Sequence, residues 1–242
     1  MRLLLVCDGS GDIANLKKLT HRILCENHDW LIDHELVWVE YEPGRTFLDI
    51  HHVHAAADAR KIPTPRGVGM GHGAASAKRA FLLGKKLAGE SKELGELGVV
   101  FVWDVDNDPK RIAAIDEARA STNGLRIAVG LATPEHEAWC ICAVAPETAE
   151  EQAAHDAVKG DLGFDPLTRS HELSHKKASV TKKDAKTVLA RLCPDSTRFE
   201  EFLKNAPLSR LRERGEKNGL RAFHDEVQTH LAPLFGPLRK AQ

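Results

Sequence analysis

Val99-Val100-Phe101-Val102-Trp103-Asp104-Val105-Asp106-Asn107-Asp108 is the run on which the reading of the chain turns. It opens with five consecutive apolar residues, mostly β-branched or aromatic, the composition of a strand buried on both faces. The acids begin where such a strand must stop. Open parallel sheets place their ligand crevice beyond the carboxyl ends of the strands, so Asp104, Asp106 and Asp108 are expected there. Alternate residues of an extended segment point the same way, which would let Asp104 and Asp106 ligate one hard divalent ion, Mg²⁺ or Mn²⁺, through oxygen. Asp108-Pro109 also reads as the N-cap and first residue of a helix. Asp108 is therefore expected to cap, with Asp104 and Asp106 the metal candidates.

Toward the N-terminus, Leu3-Leu4-Leu5-Val6-Cys7 repeats the buried-strand pattern. Asp8-Gly9-Ser10-Gly11-Asp12 follows, and then Ile13, Leu16, Leu19, Ile23 and Leu24 at helical spacing. This is a strand, a glycine turn and a helix. The dinucleotide fingerprint and the P-loop lysine are both missing. What the junction offers is another acid, Asp8, at the end of another buried strand; turn chemistry is its other reading. Glu35 to Tyr41 alternates like a strand near a sheet edge. From Thr46 to Gly73 periodicity is lost and His51, His52, His54 and His72 collect, which predicts a long, partly helical insertion.

Ala74 to Leu87 and Lys110 to Ala120 read as helices, and Leu125 to Val129 as a further strand. Thr133-Pro134-Glu135-His136-Glu137-Ala138-Trp139 then starts a helix, with Pro134 suited to its first turn and Glu135 to its acid-favouring end. Capping explains one glutamate; two, on the edge where Asp8 and Asp104 are expected, point to a convergent carboxylate site. Strand-helix alternation predicts a doubly wound α/β core over residues 1–146, with an insertion at 42–73. Residues 147–242 read as a mainly helical extension packed on that core, with helices at Ala149–Val158, Lys182–Leu192, Thr197–Lys204 and Leu220–Leu231. It is basic in Lys176, Lys177, Lys182, Lys183, Lys186 and Arg191, and again in Arg210, Arg212 and Arg214. A lysine brought to a carboxylate-metal centre could neutralise a scissile phosphate.

The apolar fraction of 42% supports a sizeable core, and the net charge of −1 gives no global case for polyanion binding. Five cysteines, odd in number and without zinc-type pairing, read as reduced and intracellular. The apolar run that ends at Asp8 is too short for a signal peptide or a membrane span, so a cytoplasmic protein is expected.

The ordered set of Asp8-Gly9, Asp104-Val105-Asp106, Pro134-Glu135-His136-Glu137-Ala138-Trp139 and a lysine-rich helix resembles the Toprim superfamily. Within it, the likeness is to the small stand-alone Toprim-like proteins related to the overcoming-lysogenization-defect nucleases, over roughly residues 1 to 192. In that family the first acid is normally glutamate; here Asp8 stands in its place, shorter by one methylene. Asp104 and Asp106 match the metal-binding pair, Glu135 and Glu137 the later acids that complete a second metal position, and Lys182 or Lys183 the catalytic lysine. The resemblance implies a Rossmann-like core that hydrolyses nucleic-acid phosphodiesters, DNA ahead of RNA, with Mg²⁺ or Mn²⁺ held by Asp8, Asp104, Asp106, Glu135 and Glu137. It also implies a setting in phage defence and a separate ATPase subunit, since no Walker motif occurs here. A homo-oligomer is compatible with it, and no membrane partner is expected. The competing expectation is a non-catalytic Toprim-like subunit that binds nucleic acid or a partner, in which Asp8 marks a weakened site.

Overall fold

The computed structural model describes residues 1–9, 13–65, 73–90, 95–106, 108–174, 182–195, 202 and 204–237. The expectations placed on Ser10, Gly11, Asp12, His72, Asn107, Lys176 and Lys177, and on most of the 197–204 helix, lie outside the described residues. The chain is an α/β protein built on a four-stranded parallel sheet of order β2-β1-β3-β4. Its strands are β1 (Arg2–Cys7), β2 (Leu48–Asp49), β3 (Leu97–Asp104) and β4 (Arg126–Ala132). The described residues divide into two compact units. The first comprises residues 1–103, 108–130 and 225–242; the second comprises 104–107 and 131–224. The first unit thus takes in the chain up to Gly130, apart from 104–107, and the C-terminal segment from Asp225.

The first unit holds nearly all of the sheet. Leu3 to Cys7 and Leu97 to Trp103 are buried throughout, as continuous apolar runs in a parallel sheet should be. β1 and β3 are paired from Arg2↔Leu97 to Val6↔Phe101. Helix α1 (Ile13–Cys25) buries Leu16, Leu19, Ile23 and Leu24. Helix α2 (Val53–Ala59) lies in the long insertion, as expected there. Helix α3 (Ala74–Glu90) packs against α4 (Pro109–Ala120) and brings Phe81 edge-on to Phe101, with ring centroids 5.0 Å apart. The close approach needs a residue without a side chain: a Cβ on Gly84 would stand 2.9 Å from Val99. On the opposite pleat of β3, a Cβ on Gly98 would meet Leu231 and Leu234, so the C-terminal segment covers the second face of the sheet. Asp108 caps α4 by accepting the Lys110 N–H at 3.0 Å, as its place before Pro109 predicts.

The expected strand at Glu35–Tyr41 is reduced to a single bridge. Val37 and Val39 exchange backbone hydrogen bonds with Leu3 at 2.9 and 2.8 Å, and only Trp38 is bridged. The edge resumes at Leu48–Asp49, because Pro43-Gly44 turns the chain back on itself through a Glu42–Arg45 bridge. No helix among the described residues is long and apolar enough to cross a membrane.

The second unit is mainly helical. It contains α5 (Glu137–Ala143), α6 (Ala149–Leu162), α7 (Ala185–Leu192), α8 (Leu208–Arg214) and the start of α9 (Leu220–Glu226). α5 lies at its centre, packed against both α7 and α8.

Candidate active site

The second unit begins where β3 gives up its last acid. Beyond Asp104 the chain stays tied to the segment that follows β4: the Val105 N–H donates to the Ala132 carbonyl at 2.8 Å, and the Asp106 N–H to the Pro134 carbonyl at 3.0 Å. Asp104 Oδ1 accepts the backbone N–H of His136 at 2.9 Å. The acid of one strand end is thus fastened to the N-cap of α5, with Glu135 just before that cap and Glu137 just after it.

Lys186 completes the group. Its Nζ lies 3.5 Å from Glu137 Oε1 and 3.8 Å from Glu135 Oε2. Glu135 is 0% exposed, whereas the Lys186 side chain is 62% exposed, so the ammonium closes the solvent side of a buried carboxylate. A buried carboxylate is costly without such a partner. Burial is the largest single influence on Lys186 and works against its charge. The attraction of Glu137 and Glu135, the hydrogen bond to Glu137 and the attraction of Asp104 together outweigh it, and the ammonium is held above the ordinary lysine range.

Lys186 takes this position because of where its helix starts. Asp184 Oδ1 accepts the Thr187 N–H at 2.8 Å, an N-cap that makes Ala185 the first helical residue. Lys182 and Lys183 fall before the cap. Lys182 pairs with Asp161 at 3.0 Å, and Lys183 lies over the Phe164 ring at 5.7 Å from its centroid. Among the described residues, the lysine paired with Glu135 and Glu137 is Lys186 and neither of these. The sequence reading, which started this helix at Lys182, missed Lys186; the Asp184-x-x-Thr187 cap was the signal that would have found it.

Behind the acids, the junction is fixed by one buried amide. Asn218 is 1% exposed; its Nδ2 donates to the Ala138 carbonyl at 3.0 Å and to Ser170 Oγ at 2.9 Å. Its backbone carbonyl accepts the Trp139 indole N–H at 2.8 Å and the Thr133 N–H at 3.0 Å, while its side-chain Oδ1 accepts the Leu220 N–H at 3.0 Å. Trp139 is stacked on Phe223, with centroids 5.2 Å apart. Gly219 lets this loop approach: its φ is +91°, and a Cβ there would collide with the Leu131 carbonyl oxygen.

The remaining expected site residues are placed differently. Asp106 does not continue the strand; it is exposed and sits at φ +51°, a left-handed conformation that aspartate tolerates better than most residues. β3 ends at Asp104, so the alternation that would have aligned Asp104 with Asp106 stops between them. Asp8 follows β1 in the first unit and is paired there with His51 Nε2 at 2.9 Å. Among the described residues no group of three or more His, Cys, Asp or Glu side chains could hold a metal ion. What the second unit supplies instead is hard carboxylate oxygen in an incomplete set. That suits Mg²⁺, which keeps several waters and takes one or two carboxylates together with substrate phosphate oxygens. Comparison with protein-family models, with curated proteins and with solved structures finds no match to this chain.

Proposed function

We propose that the second unit carries a Toprim-type centre that hydrolyses phosphodiester bonds in nucleic acid, with Asp104, Glu135, Glu137 and Lys186 as its working residues. The observation that supports this reading is the convergence of Lys186 with the two glutamates beside Asp104 at a strand-to-helix junction. Asp104 and Glu137, the acids less deeply buried than Glu135, would hold a divalent cation. Such an ion lowers the pKa of bound water and stabilises the leaving oxygen.

The chain's own residues have distinct tasks. Asp104 is oriented by the His136 N–H, so its carboxylate is set before substrate arrives. Lys186 remains protonated at neutral pH because it is held above its ordinary range. Its exposed end can turn from the glutamates to an anionic phosphate oxygen, where a fixed cation lowers the energy of the charge that develops. Glu135 returns the ammonium to its place when the phosphate leaves.

The test is cleavage of supercoiled plasmid and of an end-labelled single strand with Mg²⁺, with Mn²⁺ or with EDTA, comparing wild type with Asp104→Ala. Metal-dependent cutting that disappears in the variant is the expected result. Binding that ignores metal, with no cutting by either protein, would make this chain a binding subunit instead.

A further inference from the structure

The carboxyl end of α5 carries a second feature. A cleft of about 580 Å³ opens there, lined by Thr168, Pro207, Ser209, Arg210, Glu213 and Arg214. A smaller one of about 170 Å³ adjoins it and shares Pro207 and Arg210 with it, and its wall includes Ala143 and Ala145 at the end of α5. Arg210 thus stands between two openings. It makes no hydrogen bond or ion pair among the described residues, whereas Arg169, Arg191 and Arg221 in the same unit are each paired with an acid.

Arg214, four residues on along α8, lies on the same side of the helix and is anchored differently. Its guanidinium donates to the carbonyls of Cys142 at 3.2 Å and Val144 at 2.8 Å, the orphan acceptors at the end of α5. Two arginines at i and i+4 repel each other unless an anion lies between them. Burial first, and then Arg210, pull the Arg214 guanidinium below its ordinary value. In the larger cleft one carboxylate, Glu213, stands against the two arginines and leaves one net positive charge; Glu147 lines the smaller cleft. The Thr168 and Ser209 hydroxyls add donors suited to phosphate oxygens.

We infer that this cleft is a phosphate subsite, in which Arg210 binds the backbone of the nucleic acid whose phosphodiester is cut at the other end of α5. The inference rests on the hydrolytic reading for the identity of its ligand. α5 has seven residues, so its two ends are about 10 Å apart. Measured along a duplex axis, that distance corresponds to a rise of about three base pairs. The subsite positions the strand and reads no sequence, as contacts to phosphate do.

The experiment is fluorescence anisotropy of a labelled 20-base-pair DNA duplex, and of its single strand, in EDTA over a series of salt concentrations. Wild type, Arg210→Ala, Ser209→Glu and Asp104→Asn are compared, with metal-dependent cleavage measured on each. Arg210→Ala is expected to bind about tenfold more weakly and to reduce the salt slope by about one. Ser209→Glu, which adds a negative charge without removing the arginine, is expected to weaken binding as well, and carries the test if Arg210→Ala does not fold. Asp104→Asn should bind and not cut. Wild-type affinity and slope in both cleft variants, or no binding by wild type, would overturn the subsite. If wild type binds through Arg210 but cuts nothing with either metal, the subsite stands and the hydrolytic reading falls. Asp104-dependent cutting with unaltered binding by the cleft variants would give the reverse.

Discussion

β1 and β3 are parallel neighbours, and each delivers an aspartate at its carboxyl end, yet the two aspartates stand in different chemistry. Asp8 is 27% exposed and pairs with His51, which is 70% exposed: a surface contact of a kind that contributes between nothing and about 1 kcal/mol. Asp104 instead accepts a backbone N–H from the buried His136, and the segment it holds carries a fully buried glutamate. Strand order alone makes the two positions equivalent. What separates them is the segment that receives each acid. Around Asp104 that segment is fixed from behind by Asn218 and Trp139, so a charge there keeps one orientation.

The largest expected effect breaks the comparison directly. Asp104→Asn should lower cleavage on the order of 10³-fold, while Asp8→Asn lowers it less than about tenfold and leaves the melting temperature within a degree or two. Equal losses in the two variants would put Asp8 into the same centre and erase the distinction. Next comes the scaffold. Asn218→Ala strands the Ala138 carbonyl, Ser170 Oγ and the Leu220 N–H, which the side-chain amide satisfies, and should cost about 2–3 kcal/mol in denaturant unfolding. No comparable loss is expected from His51→Ala. If Asn218→Ala were as stable as wild type, the second unit would owe its ordered junction to something other than this amide.

Lys186 sharpens the contrast further. Lys186→Met should reduce cleavage about 10²-fold, whereas Lys182→Ala and Lys183→Ala should change it little, because their contacts are with Asp161 and Phe164. The folded-state pKa of Lys186 lies above its unfolded value. Its contribution to stability is therefore fully present below the unfolded lysine value of about 10 and is lost as pH rises through the folded value. Unfolding measured from pH 8 to 11 should show a steeper alkaline decline in wild type than in Lys186→Met. Glu135→Gln in the Lys186→Met background should restore part of the stability lost, since it removes the carboxylate left uncompensated.

Much of this architecture is legible in the chain, for reasons that can be named residue by residue. Leu3–Cys7 and Val99–Trp103 are uninterrupted apolar runs bounded by turn residues, of the kind that a parallel strand covered on both faces uses. Pro134, Glu135 and Glu137 mark a helix start, although the helix itself begins at Glu137, three residues beyond Pro134, so Pro134 and Glu135 precede its first turn. Less legible were features that depend on a single boundary or a distant partner. Moving the start of α7 from 182 to 185 replaces Lys182 and Lys183 with Lys186 as the cation beside the glutamates. Asn218 follows a basic, polar stretch with no periodicity, and its role exists only because the chain brings it under α5. Glu35–Tyr41 alternates correctly but loses its ladder to the turn at Pro43-Gly44, which local pattern cannot weigh.

The smallest expected effect concerns thiols and compares the interior of the two units. Cys142 lies on the buried side of α5, with Asn218 Nδ2 at 3.1 Å and Ser170 Oγ at 3.6 Å, and burial pushes its thiol up to about 11. Cys25, in the first unit, is only partly buried, although burial and then Asp29 raise it too. Since the thiolate is the reactive form, a higher pKa and a closed surface both slow alkylation. With iodoacetamide at pH 8, mass mapping should find Cys25 modified first and Cys142 last, with no loss of cleavage at the stage when only Cys25 has reacted. Asn218→Ala should bring Cys142 forward in that order while leaving Cys25 unchanged. Reaction of Cys142 at the rate of Cys25 in wild type would mean that the second unit opens around α5 as readily as the first does at the end of α1. The fixed orientation attributed to Asp104 and Glu135 would then have no rigid support behind it.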